Sequence, residues 1–204
     1  MKLFTIEELI RKDQNYQYAV FSDLHIGSKE FDGKSLKRDL QKCKDNNAKV
    51  IINGDTMDLI LLQDVKRASA SRIKPEDGQI NKFIEEAAEI LVPFADQLCI
   101  MAQGNHETAL IKHHGVDVLA WLIEILNREK KNGKIQEGHY QNFVRVNFLD
   151  PKRGYKLGGR YTMFFHHFID KAFFVCYNAS ITIMHFWFLN TNTYCSNKGY
   201  QQKY

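Results

Sequence analysis

Three short stretches of this chain carry residue types that can do chemistry, and each follows an apolar run. In YAVFSDLHIGS the run from Tyr18 to Phe21 ends in Asp23 and His25, and Gly27 permits a sharp exit. In VIINGDTMDL the run from Val50 to Ile52 ends in Asn53, Gly54 and Asp55, with Asp58 following. In CIMAQGNHET the run from Cys99 to Met101 leads to Gly104, Asn105, His106 and Glu107. Taken singly each is ordinary, because Gly-Asp is a turn and Asp and Asn favour loops for local hydrogen-bonding reasons. Taken together, the carboxylates, amide and imidazoles make a donor set that suits Zn, Mn or Fe(II) better than ions that prefer thiolates. Such a set can hold two cations about 3.5–4 Å apart, so that both polarise a phosphoryl oxygen and one lowers the pKa of a bound water. One carboxylate can then be shared by both ions, and Asp55 is the candidate. Residues two apart on an extended strand face one way, so Asp23 and His25 are expected to approach one ion.

For three clusters to meet, the strands that carry them must lie side by side and point the same way. In open α/β sheets ligands bind at the carboxyl ends of the strands, and the rest of the chain supplies the elements such a sheet needs. Strand 18–22 is followed by a helix in SLKRDLQKCKDNN, opened by Ser35 with Leu36 and Leu40 on one face. After strand KVIINGD come a helix from about Asp77 to Phe94 and a strand in QLCIMAQGNHE. GVDVLAWLIEILNREKKNG is the clearest helix, with Val118, Leu119, Leu122, Ile125 and Leu126 apolar and Gly133 closing it. Near the start, Thr5-Ile6-Glu7-Glu8 has the form of a capping box and predicts a short helix. Later, KIQEG, YQNFVRVNFLD and GRYTMFFHH alternate like strands between Gly turns. The fold class is therefore α/β, a helix-flanked parallel sheet packed on a second sheet.

At 204 residues and 44% hydrophobic the chain can bury one sizeable core. A net charge of +4 from 28 basic and 24 acidic residues, scattered along the chain, neither demands nor excludes nucleic acid. Cys43, Cys99, Cys176 and Cys195 show no metal-type or CxxC spacing, so free thiols and a cytoplasmic location are expected. No leader-like apolar stretch opens the sequence.

D-x-H, then G-D-x-x-D, then G-N-H-E, in this order and at this spacing, resemble the calcineurin-like metallophosphoesterase superfamily over roughly residues 16–167. The resemblance implies a four-layer α/β/β/α sandwich in a domain spanning residues 1–170, with two divalent metal ions (Mn, Zn or Fe) at one end of its sheets. It implies that Asp23 and His25 hold the first ion, that Asp55 bridges, and that Asn105 holds the second. His106 would be the general acid beside the scissile phosphate, oriented by Asp58. A strand ending in His supplies a further ligand, here His166, with His167 as the alternative. The implied activity is hydrolysis of a phosphomonoester or phosphodiester by a water that two metals activate, as in a phosphatase or phosphodiesterase. The substrate class stays open among small molecules, nucleotides, phosphoproteins and nucleic acids, and no membrane partner is expected. His113-His114 matches none of the motifs and is expected to be a solvated turn. The insert containing KRASASRIKPEDG is expected to overhang the site or to be a solvated loop.

The pattern then breaks. The family's Gly-His-x-His motif, one imidazole for each metal, does not occur, and the only later histidine is His185. Residues 171–204 also change texture: from Ala172 onward there is no Asp or Glu, and nine aromatic residues crowd together. That tail reads as an out-of-frame or truncated product, as a lineage-specific terminus, or, less well given its polar interruptions, as a membrane segment. Two functions follow from different classes: a metal-dependent phosphoesterase, or a catalytically weak or inactive relative that keeps the fold and acts as a binding protein.

Overall fold

The computed structural model describes residues 1–11, 16–59, 78–167, 173–177 and 184–190, the last two segments and positions 157 and 166 as backbone only. Two sheets face each other. The first is five-stranded in the order β5-β4-β3-β2-β9, formed by β2 (Tyr16–Ser22), β3 (Lys49–Asn53), β4 (Leu98–Ala102), β5 (Gln136–Gly138) and β9 (Met184–Asn190). All its neighbours are parallel. The second runs β1-β6-β7-β8, formed by β1 (Lys2–Leu9), β6 (Gln141–Asp150), β7 (Lys156–His166) and β8 (Phe173–Tyr177). There β1 and β6 are parallel and the other pairs antiparallel.

Alternation along the central strands sorts their side chains between two cores. Ala19, Phe21, Val50, Ile52 and Met101 join the helices α1 (Gly33–Asp45), α2 (Gln79–Leu91), α3 (Asn105–His114) and α4 (Val118–Glu129) in one buried cluster. Tyr18, Val20, Ile51 and Ile100 face the other way and meet Phe4, Ile6, Val144, Val146, Phe148, Met163 and Phe165 of the second sheet. Strands buried on both faces read as continuous apolar runs, which is why YAVF and VII stand out in the sequence. The mixed α/β class is as expected. Among the described residues the layers run helices, sheet, sheet, with no helix on the outer face of the second sheet.

Several local expectations need correction. Thr5 to Glu8 form no helix: they lie in β1, where Phe4 and Ile6 are buried and Leu3, Thr5 and Glu7 are exposed. The period-2 burial and the pairing available along β6 override the capping pattern. Helix α1 is capped by Asp32 rather than Ser35; its carboxylate accepts the N–H groups of Lys34 and Ser35 at 3.2 and 3.1 Å. Helix α4 stops at Glu129, where Lys130 turns extended (ψ 127°), short of Gly133. Helix α2 begins at Gln79, and Asp77 lies outside the described residues. The strand expected through QLCIMAQGNHE ends at Ala102, and Asn105, His106 and Glu107 open helix α3, which ends at Gly115 in the left-handed conformation (φ 67°). His113 and His114 are exposed on its last turn. Beyond residue 170, β8 pairs with β7 and β9 with β2, so backbone of the tail extends both sheets.

Candidate metal centre

The loops leaving β2 and β3 keep the parallel ladder going past the strand ends. Asp23 N–H donates to Gly54 O, His25 N–H to Asp55 O and Ile26 N–H to Thr56 O, each at 3.0 Å, and Asp58 N–H returns to Ile26 O at 2.9 Å. Asp23 (φ 54°), His25 (φ 48°), Asp55 (φ 48°) and Leu59 (φ 35°) are all left-handed. Non-glycine residues seldom adopt that region, and several together mark a segment held by its surroundings. Asp23 and His25 are therefore aimed by two left-handed residues, not by the alternation of an extended strand. Two glycines allow the close approach. A Cβ on Gly54 would overlap the His167 ring, and one on Gly104 would overlap the Asp55 carboxylate and amide.

Two groups of side chains result. Ligand atoms of Asp23, Asp55 and His167 lie within 4.8 Å of one another, and so do those of His25, Asp58 and His106. Asp55, only 2% exposed, stands between them: its Oδ2 is 3.2 Å from His167 Nε2 and 3.8 Å from His25 Nε2, while its Oδ1 accepts His106 N–H at 2.9 Å. Asn105 Oδ1 lies 3.0 Å from His167 Nε2, and Asp23 Oδ1 is 3.7 Å from the same nitrogen. Asp23 thus faces His167 more directly than it accompanies His25. Asp58 holds His106 differently from the expectation. His106 Nδ1–H donates to the main-chain carbonyl of Asp58, whereas the Asp58 carboxylate is nearer His25 (3.6 Å) than His106 (4.0 Å).

Both rings have their tautomers set by main-chain carbonyls. His167 Nδ1–H donates to Asn53 O at 2.8 Å, which leaves Nε2 to face Asp55, Asn105 and Asp23. That is the arrangement by which a backbone carbonyl prepares an imidazole as a metal ligand. In the same way the bond from His106 Nδ1 leaves its Nε2 free.

A lone pair aimed at three oxygens is unfavourable unless a cation or a proton sits among them. Burial alone would lower the His167 pKa, but Asp55, the Asn53 carbonyl and Asp23 outweigh it and push it up to about 9. His25 is likewise raised: burial opposes, and Asp58, Asp55 and Asp23 prevail. Burial pushes Asp55 upward, yet His167 and His106 hold its pKa below the ordinary carboxylate value. Among the described residues the ion-pair partners of Asp23, Asp55 and Asp58 are imidazoles, not Lys or Arg. Among the described residues Asp58 Oδ2 is buried without a hydrogen-bond partner. Hard oxygen donors, prepared imidazoles and an orphaned carboxylate oxygen fit divalent metal ions.

Of the candidate residues, Asp23, His25, Asp55, Asp58, Asn105, His106 and His167 come together here. The side chain of His166 lies outside the described residues, as does the insert at residues 60–77. His185 sits in register with Gln17, near the amino end of β9, while Asn190 pairs with Ser22 beside the site. Five strand residues span about 16–17 Å, so His185 is at the wrong end of its strand to replace a missing imidazole. Two further residues belong to the neighbourhood. Glu107, wholly buried, accepts N–H groups from both sides of the centre; its spacing from Gly104 is that of a helix N-cap and N3 pair, a signal present in the sequence. The Tyr140 ring stands edge-on to His167 at 5.4 Å, and its backbone O accepts His167 N–H at 3.3 Å. No pattern in EGHYQN announces it.

The model of the calcineurin-like phosphoesterases matches residues 16–199. The chain belongs to the calcineurin-like phosphoesterase family. The match reaches past residue 167, through the backbone of β8 and β9. No curated protein and no solved structure matches the chain. The calcineurin-like phosphoesterases are hydrolases that act on phosphate esters with divalent metal ions. In this member no helix among the described residues is long and apolar enough to cross a membrane.

Proposed function

We propose that this calcineurin-like phosphoesterase hydrolyses a phosphomonoester or phosphodiester at a two-metal centre. His25 and Asp55 would hold one divalent ion, and Asp55, Asn105 and His167 the other, with Asp23 on the His167 side. The observation that carries the reading is the carboxylate of Asp55, standing between His25 and His167 and thereby joining two ligand groups into one. Divalent ions bound there would polarise phosphoryl oxygens and make a bound water acidic enough to attack near neutral pH. The chain's own residues supply the rest. Asp23, Asp55 and Asp58 exclude a second anion except where a cation offsets them, which restricts the phosphate to the metal side. His106, its Nδ1–H fixed on the Asp58 carbonyl, would present Nε2 to a leaving oxygen and, when the ring carries its second proton there, would give that proton to the departing oxygen and be left as the neutral imidazole. His167 keeps its orientation through Asn53 whatever Nε2 binds.

A second reading is favoured by one observation: Gly-His-x-His is absent, and His185 is at the far end of β9. On that reading the protein keeps the fold and some metal affinity and serves as a weakly active or inactive binding protein. Titration of the full chain with Mn(II), followed by assays on p-nitrophenyl phosphate and bis-p-nitrophenyl phosphate, separates the two. Two ions per chain with Mn-dependent turnover supports the enzyme. Tight Mn binding without turnover supports the binding protein, and no Mn binding overturns the two-metal centre.

A further inference from the structure

We propose that Glu107 is the positioning residue of this centre: its carboxylate clamps the Asp55 loop to the start of α3 and so sets the spacing of ligands drawn from two distant segments. The inference rests on the two-metal reading for its consequence but on hydrogen bonds for its geometry. Glu107 is 0% exposed, and its carboxylate accepts four main-chain N–H groups. Oε2 takes Asp55 N–H at 3.1 Å and Gly104 N–H at 2.9 Å; Oε1 takes Thr56 N–H at 2.8 Å and Met57 N–H at 3.4 Å. One oxygen thus joins the residue that carries the shared carboxylate to the residue that caps the helix bearing Asn105 and His106.

The need for such a clamp is local and physical. Asp55 is left-handed, and a strained non-glycine backbone persists only when its surroundings over-determine it. Three successive N–H groups, of residues 55, 56 and 57, point into buried space where water cannot serve them, and each would be costly if left without an acceptor. Only a carboxylate can accept from all of them and from Gly104 as well, because an amide in its place turns an NH2 toward N–H donors. Released, the loop would carry Asp55 away from α3, and the bond from His106 N–H to Asp55 Oδ1 (2.9 Å) would go with it.

The test compares the full-length chain with Glu107→Gln and Glu107→Asp. In the metal-free proteins, amide hydrogen exchange is read residue by residue. With Mn(II) as the probe, the number of ions bound and the electron paramagnetic resonance signal are read as well. Glu107→Gln should speed exchange at Asp55, Thr56 and Met57 by tenfold or more while leaving Val144 and Leu122 unchanged. It should also replace the spin-coupled signal of a Mn pair by the six-line signal of separate ions. Glu107→Asp, which keeps the carboxyl oxygens on a shorter stem, should fall between it and the parent in both readouts, a rescue by the conservative variant. If Glu107→Gln does not fold, Glu107→Asp carries both measurements. Parent-like exchange at residues 55–57, or an unaltered Mn pair despite faster exchange, overturns the clamp. If the parent itself binds no Mn pair, the two-metal reading fails, and the exchange data still decide whether Glu107 holds the loop.

Discussion

At the amino ends of β2 and β3, the carboxylate of Glu8 accepts the Tyr18 hydroxyl at 2.6 Å and pairs with Lys49 Nζ at 2.6 Å. At the carboxyl ends of the same strands, Asp23, Asp55 and Asp58 gather around His25, His106 and His167, with four left-handed non-glycine residues among the connections. The first arrangement is complete: each charge has an opposite partner, and Tyr18, raised far above an ordinary phenol by burial and by Glu8, stays neutral as a donor. The second is incomplete without added positive charge. One sheet therefore places a finished ion pair at one end and an unfinished one at the other, and the unfinished end is where chemistry is to be sought.

Four experiments bear on that contrast. The largest effect is expected from Asp55→Asn, which keeps the acceptor for His106 N–H but removes the shared charge. Mn(II) affinity should fall by more than the roughly 10–100-fold typical of an outer partner, and any turnover should vanish while the circular dichroism spectrum is retained. Unchanged Mn binding would mean that the carboxyl end is not unfinished after all. Next, His106→Asn should lower kcat by roughly 10²–10⁴, the range for a lost general acid, with Mn content intact. The loss should be smaller for aryl than for alkyl esters, since a good leaving group needs little protonation. Equal losses would instead assign His106 to positioning.

At the opposite end the effects should fall on stability alone. Glu8→Ala removes the carboxylate that accepts from the buried Tyr18 hydroxyl and pairs with Lys49, and urea denaturation should show a loss of about 1–3 kcal/mol with the Mn titre unchanged. A changed titre would break the separation of the two ends. The smallest effect is expected away from both, at the cap of α1. Asp32→Ala should cost about 1 kcal/mol at neutral pH. Bonds from the Ser35 hydroxyl and backbone, with Lys34, hold the Asp32 carboxyl below its ordinary value. A depressed folded-state pKa gives stability that is present above the unfolded value, about 3.9, and lost as pH falls through the folded one. The gap between parent and variant should accordingly close on acidification; a gap independent of pH would show that the cap does not act through its charge.

Much of this end of the molecule was legible beforehand. Doubly buried parallel strands need long apolar runs, and a left-handed exit beside a phosphate-type site draws on Gly, Asp, Asn and His, so YAVFSDLH, VIINGD and CIMAQGNH announce themselves. Helix α4 was readable because its apolar face repeats with the helical period. What failed did so where a local pattern had two physical uses. Thr5-Ile6-Glu7-Glu8 matches a capping box, yet β6 offers a longer ladder and β1 takes it. Asp32, three residues before Ser35, was the better acceptor for the first turn of α1 because its carboxylate can take two N–H groups at once.

The amino-acid sequence by itself determined the chemistry available here: which donors exist, in what order, and that the Gly-His-x-His pair is missing, since these are properties of residue type and short-range spacing. Only the tertiary structure decided which of those donors meet. It brought His167 to Asp55 with its Nδ1 bound to Asn53, gave His106 the carbonyl of Asp58 rather than its carboxylate, and put His185 beside Gln17 instead of beside Ser22. Such choices rest on strand register, ring tautomer and contacts between segments distant in the chain, and free energies of that kind arise only when the sheets have packed.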